Sequence, residues 1–547
     1  MTARETEDRA LRIIAEYQLL EGQRGNWDNQ YEQIAARIWP SYAGHALSKG
    51  TTPAQGQPRT VEMIDATGSV ALTRFAAVLY SMLTPQNVRW HYLRASDPTL
   101  RKDRAVREYF EAATQVLFDY RYAPKANYSG MKVQEYMALG AFGTAPMYVD
   151  RFRGFDEKGL RYKHIPIFGM QVKNNHQGIV DCVYRKFMFT ARQVAQRFER
   201  VPKRVLDDLK DYKTSEREHW FIQAVKPRDD YAGHRKDARG MRYEETYVYV
   251  GEPEVLEDAG YHVFPFSVSR YITTNGETLG RSPAMICLPS LKTLNEEKKT
   301  VLKQGQKAVD PVLLLHDDGV LDSGSVRAGG YITGAMSAEG RPLVGTLPTG
   351  NLAVGHEMMN EEKVIINDAF LVTLFQLMID SPQKTATEVA ELAREKGVFL
   401  TPMVTGQETE SLGPQIEREL DVLAAQGLLP PMPQKLRDAA GEYQVIFDSP
   451  ASKMAKAGEA SGFMQIADWA AEKSAATGDR SIMRPFNWKA AIPAILELKS
   501  TPLDWIKTPG QIEAEEQADA QAARQQQMID AAPSGAAMMK TAMAAGQ

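Results

Sequence analysis

The chain has 547 residues, with 65 lysines and arginines against 69 aspartates and glutamates, a formal net charge of −4. With 43% hydrophobic and 24% charged residues, the composition excludes wholesale disorder, collagen and a coiled-coil rod. The length allows about three to five domains with ample cores. The near-neutral balance excludes the strongly basic footprint of a tight nucleic-acid binder.

Two cysteines, Cys182 and Cys287, stand far apart with no CxxC pair. They build neither a disulfide framework nor a zinc ribbon, so both read as small, reduced apolar side chains. The opening MTARETEDRALRII mixes charges of both signs before any apolar run, unlike a signal peptide. The most apolar helical stretch, Phe370 to Ile379, is about half a membrane span. The expectation is a protein made in the cytoplasm, without membrane contact.

In chain order, Leu11, Ile14, Tyr17 and Leu20 predict a helix over 5–21. Trp27, Tyr31, Ile34 and Ile38 predict a second, ended by Pro40. Ser41 to Thr60, rich in Gly, Ser, Thr, Pro and Gln, reads as a loop. Helical patterns follow at 61–83, 103–121 and 129–142, the last closed by Gly140 and Gly143. From Ala145 the texture changes to short β-type runs at 147–152, 161–166, 178–189, 220–225 and 244–250. A helix at 190–199 interrupts them, and the whole reads as a small antiparallel β domain.

Residues 284–308 and 356–379 are two helix patterns flanking a glycine-rich β insert at 311–355, which predicts a helical hairpin with a small module at its tip. The first helix carries Lys292, Lys298, Lys299, Lys303 and Lys307 against Glu296 and Glu297, a balance of +3. The second carries Glu357, Glu361, Glu362 and Asp368 against Lys363, a balance of −3. Opposite signs favour pairing of these helices, within one chain or between neighbouring copies; two separately solvated faces are the plainer alternative. Asp380–Thr387 is a short polar break, followed by a helix with Glu388, Leu392 and Glu395. A long amphipathic stretch covers 408–427, and helical patterns resume at 451–476 and 487–500. The tail, 511–547, holds 12 Ala and 7 Gln and no aromatic residue, so it cannot bury a core alone.

Enzyme motifs fail one by one. GTLPTGNL at 345–352 has Walker A glycine spacing, but Asn351 and Leu352 replace the Lys and Ser/Thr that hold phosphate and magnesium. His356-Glu357 begins like HExxH, yet Asn360 stands where the second zinc ligand belongs. GRSPA at 280–284 faintly resembles a nucleophile elbow, but Pro283 suits a helix start. Asp317-Asp318 beside Gly319 reads as turn chemistry. The residues therefore point to a multidomain assembly protein without catalytic, cofactor or metal sites.

Several segments resemble the portal (head-to-tail connector) proteins of short-tailed bacteriophages. They are RGNWDNQYEQIAARIWP near the N-terminus, LYSMLTPQNVRWHYL, LGAFGTAPMYV, and above all YITTNGETLGRSPAMICLPSLKTLNEEKKTVLKQGQKAVDPVLLL at 271–315. PTGNL at 348–352, KTATEVAELARE at 384–395 and LPPMP at 429–433 follow in family order, so the resemblance spans about residues 5–460. It implies an α+β, mainly helical portal fold, with wing, helical stem, clip and crown, assembled as a twelve-copy ring. The wing would be 1–283, the stem 284–310 and 355–379, and the clip 311–354. A channel loop would be 380–387, a wing helix 388–435, a crown 436–510 and a tail 511–547. The channel loop would turn Gln383, Lys384 and Thr385 toward DNA, and Lys292, Lys298, Lys299 and Lys303 would pair with Glu357, Glu361 and Glu362. The implied role is a conduit for double-stranded DNA at one capsid vertex of the virion. Implied partners are terminase, tail adaptor and nozzle proteins, and capsid and scaffolding proteins. Another oligomeric tail or adaptor protein, or an enzyme with an unrecognised site, are the alternatives.

Overall fold

The computed structural model describes residues 3–44, 56, 59–60, 62–152, 158–311, 313–314, 336–338, 340–342, 345–346, 352–374, 400–439, 441–452, 466 and 469–478. Residues 458–547 form a unit of their own, in which 469–477 are helical. All that follows concerns the unit of residues 1–457.

Its N-terminal half begins with α1 (Ala3–Gly22), α2 (Gly25–Ile38) and α3 (Thr67–Leu83). After β1 (His91–Ala95) come α4 (Arg104–Arg121) and α5 (Tyr128–Phe142). Local chemistry sets the boundaries. Asp103 caps α4 by accepting the Ala105 and Val106 N–H groups. Gly143, at φ 73°, ends α5 in the left-handed conformation that glycine adopts without penalty.

The β-type middle third forms two sheets rather than one small domain. β2 (Thr144–Arg151) lies between β3 (Leu160–His164) and β9 (Phe266–Arg270). A five-stranded antiparallel meander runs β4 (Met170–Asn174), β5 (Val180–Thr190), β6 (Glu218–Pro227), β7 (Tyr243–Tyr249) and β8 (Glu254–Tyr261). Strand alternation gives the meander two apolar faces. Ile222 and Ala224 of β6 meet Ala10, Ile13 and Tyr17 of α1. Phe221 faces the other way, onto α6 (Ala191–Arg197) and α7 (Lys203–Lys210), through Val194, Phe198 and Val205. Of the expected apolar face of α1, Ile14, Tyr17 and Leu20 pack on the sheet and Leu11 alone is exposed, while Arg9 pairs with Asp258 at 2.7 Å and Glu16 accepts from Tyr184.

The main core joins α2, α3 and α5 to the hairpin. The hairpin opens with a short α8 (Pro283–Ile286), then α9 (Leu288–Val309), a two-stranded tip of β10 (Leu313–Leu314) with β11 (Gly345–Thr346), and α10 (Leu352–Ala369). Where the sequence reads as one helix over 284–308, Cys287 separates two. Residues 400–407 are helical and pass through a π-helical turn, Glu408–Leu412, into α11 (Gly413–Ala425). A second core gathers β1, α4 and α11 on the outer faces of β2 and β3. The chain then returns through α12 (Gln434–Asp438) to β12 (Tyr443–Phe447), antiparallel to β1.

Two distant segments meet at one seam between α5 and α8. The Tyr271 N–H donates to Gly143 O at 2.9 Å, the Gly280 N–H to Thr144 Oγ1 at 2.8 Å, and Ser282 Oγ to Ala141 O at 2.9 Å. A Cβ on Gly143 would stand 2.3 Å from Gly280 O, so only glycine fits. Ser282 also caps α8, accepting from the Met285 N–H at 3.0 Å. GRSPA is a helix start.

The helical hairpin as candidate assembly site

α9 and α10 pack side by side with little between them, since a Cβ on Gly355 would lie 2.7 Å from Val301 Cγ2. The buried faces are narrow: Leu288, Leu291, Leu294 and Asn295 on α9, Met359 and Ile366 on α10. Asn295 clamps the chain entering α3. Its Oδ1 accepts the Ile64 and Asp65 N–H groups at 3.0 and 2.9 Å, and its Nδ2 donates to Leu291 O.

The charges of α9 are not spent on those of α10. Lys298 pairs with Asp65 at 2.8 Å, and Lys299 sits 3.6 Å from Glu296 of its own helix. Among the described residues no ion pair links α9 to α10. Lys292, Lys303, Lys307, Glu357 and Glu361 are exposed. At one place along their contact, acid faces acid. Burial raises the Glu297 carboxyl above its ordinary range, and Glu362 and Glu361 add like-charge repulsion. Glu297 and Glu362 each keep one buried carboxylate oxygen without a hydrogen-bond partner.

Apolar side chains are left outside in the same region. Val354, Met358, Val364 and Ile365 are exposed on α10, Leu302 and Val309 on α9, with Val309 88% exposed. Val354, Met358, Glu361 and Ile365 follow helical spacing, so apolar and acidic groups share one stripe. Lys299, Leu302 and Val309 share a stripe on α9 in the same way. One surface is apolar and acidic, the other apolar and basic.

Gln383, Lys384 and Thr385 lie outside the described residues, as do Asn351 and Asp317-Asp318. His356 and Asn360 are exposed on α10, and no cluster of metal-ligating side chains occurs among the described residues. Both cysteines are buried and unpaired, with thiols pushed up by burial to about 11 at Cys182 and about 12 at Cys287.

Sequence reasoning missed a buried polar network between α4, α5 and α11. Arg121 and Glu419 are fully buried and paired, with Arg121 Nε 3.2 Å from both carboxylate oxygens. Tyr162 donates to Glu419 Oε1 at 2.7 Å, Gln415 Nε2 at 3.0 Å, and Arg121 NH1 lies 2.8 Å from His91 Nε2. Beside it, Lys132 Nζ reaches Glu135 Oε2 and Ser411 Oγ, both at 2.9 Å, and Ser411 Oγ donates to Glu135 Oε1 at 2.7 Å. Its helical members are common helix-surface residue types, and Tyr162 and His91 lie on short strands, so no local pattern marked it. Nothing in it is open to a substrate; it fastens elements.

A body of several packed cores carrying a helical hairpin with exposed apolar and charged stripes is the build of an assembly component, and the chain belongs to the family of bacteriophage head to tail connecting proteins, which matches residues 10–506. It is 27% identical over 445 residues to the probable portal protein of Bordetella phage BPP-1, covering 80% of this chain and 78% of that one. It is 25% identical over 445 residues to the portal protein of Salmonella phage epsilon15, covering 78% and 76%. No helix among the described residues is long and apolar enough to cross a membrane.

Proposed function

We propose that this connector works as a portal: a closed ring of twelve copies at one capsid vertex, through which double-stranded DNA is packaged and later ejected. The hairpin is the stem, 311–354 the clip, and α9 of one copy meets α10 of the next. The observation that carries this reading is the pair of exposed stripes, basic and apolar on α9 (Lys299 held only loosely, 3.6 Å from Glu296 of its own helix) and acidic and apolar on α10. Two different faces that complement each other make a head-to-tail contact, and such contacts close into rings when the rotation permits. In this reading Gln383, Lys384 and Thr385 face the channel. Lys384 from each copy then forms a ring of screened positive charge that resists slippage of DNA rather than binding it.

Terminase, then tail adaptor and nozzle proteins, dock at the clip, while capsid and scaffolding proteins meet the wing. The protein itself is no enzyme in this reading; hydrolysis belongs to terminase. The near-neutral charge suits a conduit, because a strongly basic bore would hold phosphates through counterion release. Electron microscopy of the purified chain, without DNA or nucleotide, tests the reading. Rings with a central hole are expected, with no ATPase or nuclease activity. Compact monomers, or magnesium-dependent turnover lost on a point mutation, would sink it.

A further inference from the structure

The helix that runs from residue 400 to 425 contains one residue too many for an α-helix. Its π-turn, Glu408–Leu412, is closed by the Gly413 N–H donating to Glu408 O, five residues back instead of four. The cause lies in the next residue. Pro414 has no N–H to give to Glu410 O, and in a regular α-helix its ring would strike that carbonyl. Gly413 admits the wider turn, since a Cβ there would stand 3.0 Å from Glu408 O.

This turn sits on a boundary. Leu400 and Val404, before it, belong to the core that holds Ile366, Phe370 and Val372 at the end of α10. Leu412, Ile416, Val422 and Leu423, from its last residue onward, belong to the other core. At the π-turn Glu408 accepts from Ser452 Oγ, and from residue 410 onward the helix is fastened at several points. Glu410 accepts the Arg270 N–H at 2.9 Å and its Nε–H at 3.1 Å, Ser411 joins Lys132 and Glu135, and Glu419 holds Arg121. Just before it, Gln407 is 1% exposed, and its side-chain oxygen has no hydrogen-bond partner. A buried acceptor left open is uncommon and marks this register as incompletely satisfied.

We propose that the π-turn is a one-residue register joint between the hairpin-bearing core and α11. Migration of the extra residue toward the N-terminus carries each residue it passes by about 1.5 Å and ~100° around the axis. Pro414 blocks migration the other way, so α11 and its buried ion pair stay in place. Migration past Val404 and Leu400 turns them out of the core they share with Ile366 and Phe370, so the joint couples re-registration against the end of the stem to an α11 that stays fixed in its own core. Only the functional arm of its test rests on the portal reading.

The test compares three full-length chains: the parent, a variant with Thr409 deleted and Pro414→Ala, and a control with Glu417 deleted. Thr409 is the residue to remove, because its exposed side chain bonds only to Thr405 O, at 2.9 Å. The first variant straightens the helix with both flanks in register, whereas the control throws α11 out of register. In the parent, amides of 400–412 should exchange about tenfold faster than those of 416–425, and the straightened variant should abolish the difference. That variant should melt no lower than the parent and form the same rings, yet fill phage heads about tenfold less well in complementation. Uniform protection in the parent overturns the joint. So does a straightened variant as unstable as the control, or one that fills heads as the parent does. A parent that forms no rings removes the portal reading instead, and exchange and melting still decide the joint.

Discussion

Arg121 and Glu419 show how much hangs on single buried charges. Burial disfavours the guanidinium, but the Glu419 carboxylate beside it outweighs that and raises the Arg121 pKa above its ordinary value. Glu419→Ala leaves that cation buried without an anion, and should lower unfolding stability by about 3–5 kcal/mol. Arg121→Met with Glu419→Leu removes both charges and should lose much less, a comparison readable in urea. A second consequence follows at low pH. Burial holds His164 neutral, down to about 4, and pushes His91 well below its ordinary value, with Arg121 adding repulsion. Above about pH 6.5 both folded and unfolded states are neutral at these sites. Below it the unfolded chain takes up protons that the folded chain refuses, so stability falls by about 1.4 kcal/mol per pH unit for each histidine. His164→Asn should remove one share of that slope between pH 6.5 and about 4. An unchanged slope in unfolding curves across that range would show that His164 titrates freely.

Among elements, those with a local cause were legible and those made by tertiary contact were not. Thr190 with Gln193 forms a capping box, and α6 starts where the sequence places it. Gly143 was readable as a stop after α5, but not as the near wall of a seam with Gly280, which lies 137 positions later. In that seam LGAFGTAPMYV and YITTNGETLGRSPAM are each other's packing partners. β1, β4, β9 and β12 were missed because each is only five residues long, β8 because Glu257, Asp258 and Gly260 interrupt its apolar pattern, and β12 finds β1 more than 340 residues away. The π-turn was signalled by Gly413-Pro414 inside an otherwise helical run, a breaker that the amphipathic pattern concealed. Gly143→Ala should cost above about 3 kcal/mol, combining the left-handed penalty with a clash against a backbone carbonyl. Gly178 has φ 80° but open space around it, so Gly178→Ala should cost only about 1 kcal/mol. Equal losses in thermal or urea unfolding would mean that the seam yields and the close approach carries no weight.

For the whole molecule, the hairpin charges were legible in the sequence, but their partners were not. Helical periodicity cannot tell that Lys298 answers Asp65 while Glu297 meets Glu361 and Glu362. The structure leaves the remaining cations of α9 and anions of α10 on surfaces that also bear Leu302, Val309, Val354, Met358 and Ile365. Each exposed ion pair contributes about 0–1 kcal/mol and fades once the Debye length shrinks to about 3 Å at 1 M salt. Burying the apolar stripes contributes about 1.5–3 kcal/mol per fully covered side chain and is insensitive to that screening. Assembly should therefore have two separable parts. Glu357→Lys with Glu361→Lys should lower the ring fraction at low salt, and adding Lys299→Glu with Lys303→Glu in the same chain should restore it. Met358→Lys should abolish rings at any salt, because it places a charge in the apolar stripe. Native mass measurement over a salt series reads all three. If the four-charge exchange fails to restore rings, α9 and α10 do not face each other between copies. If Met358→Lys assembles as the parent does, the apolar stripe looks outward and the stem contact lies elsewhere.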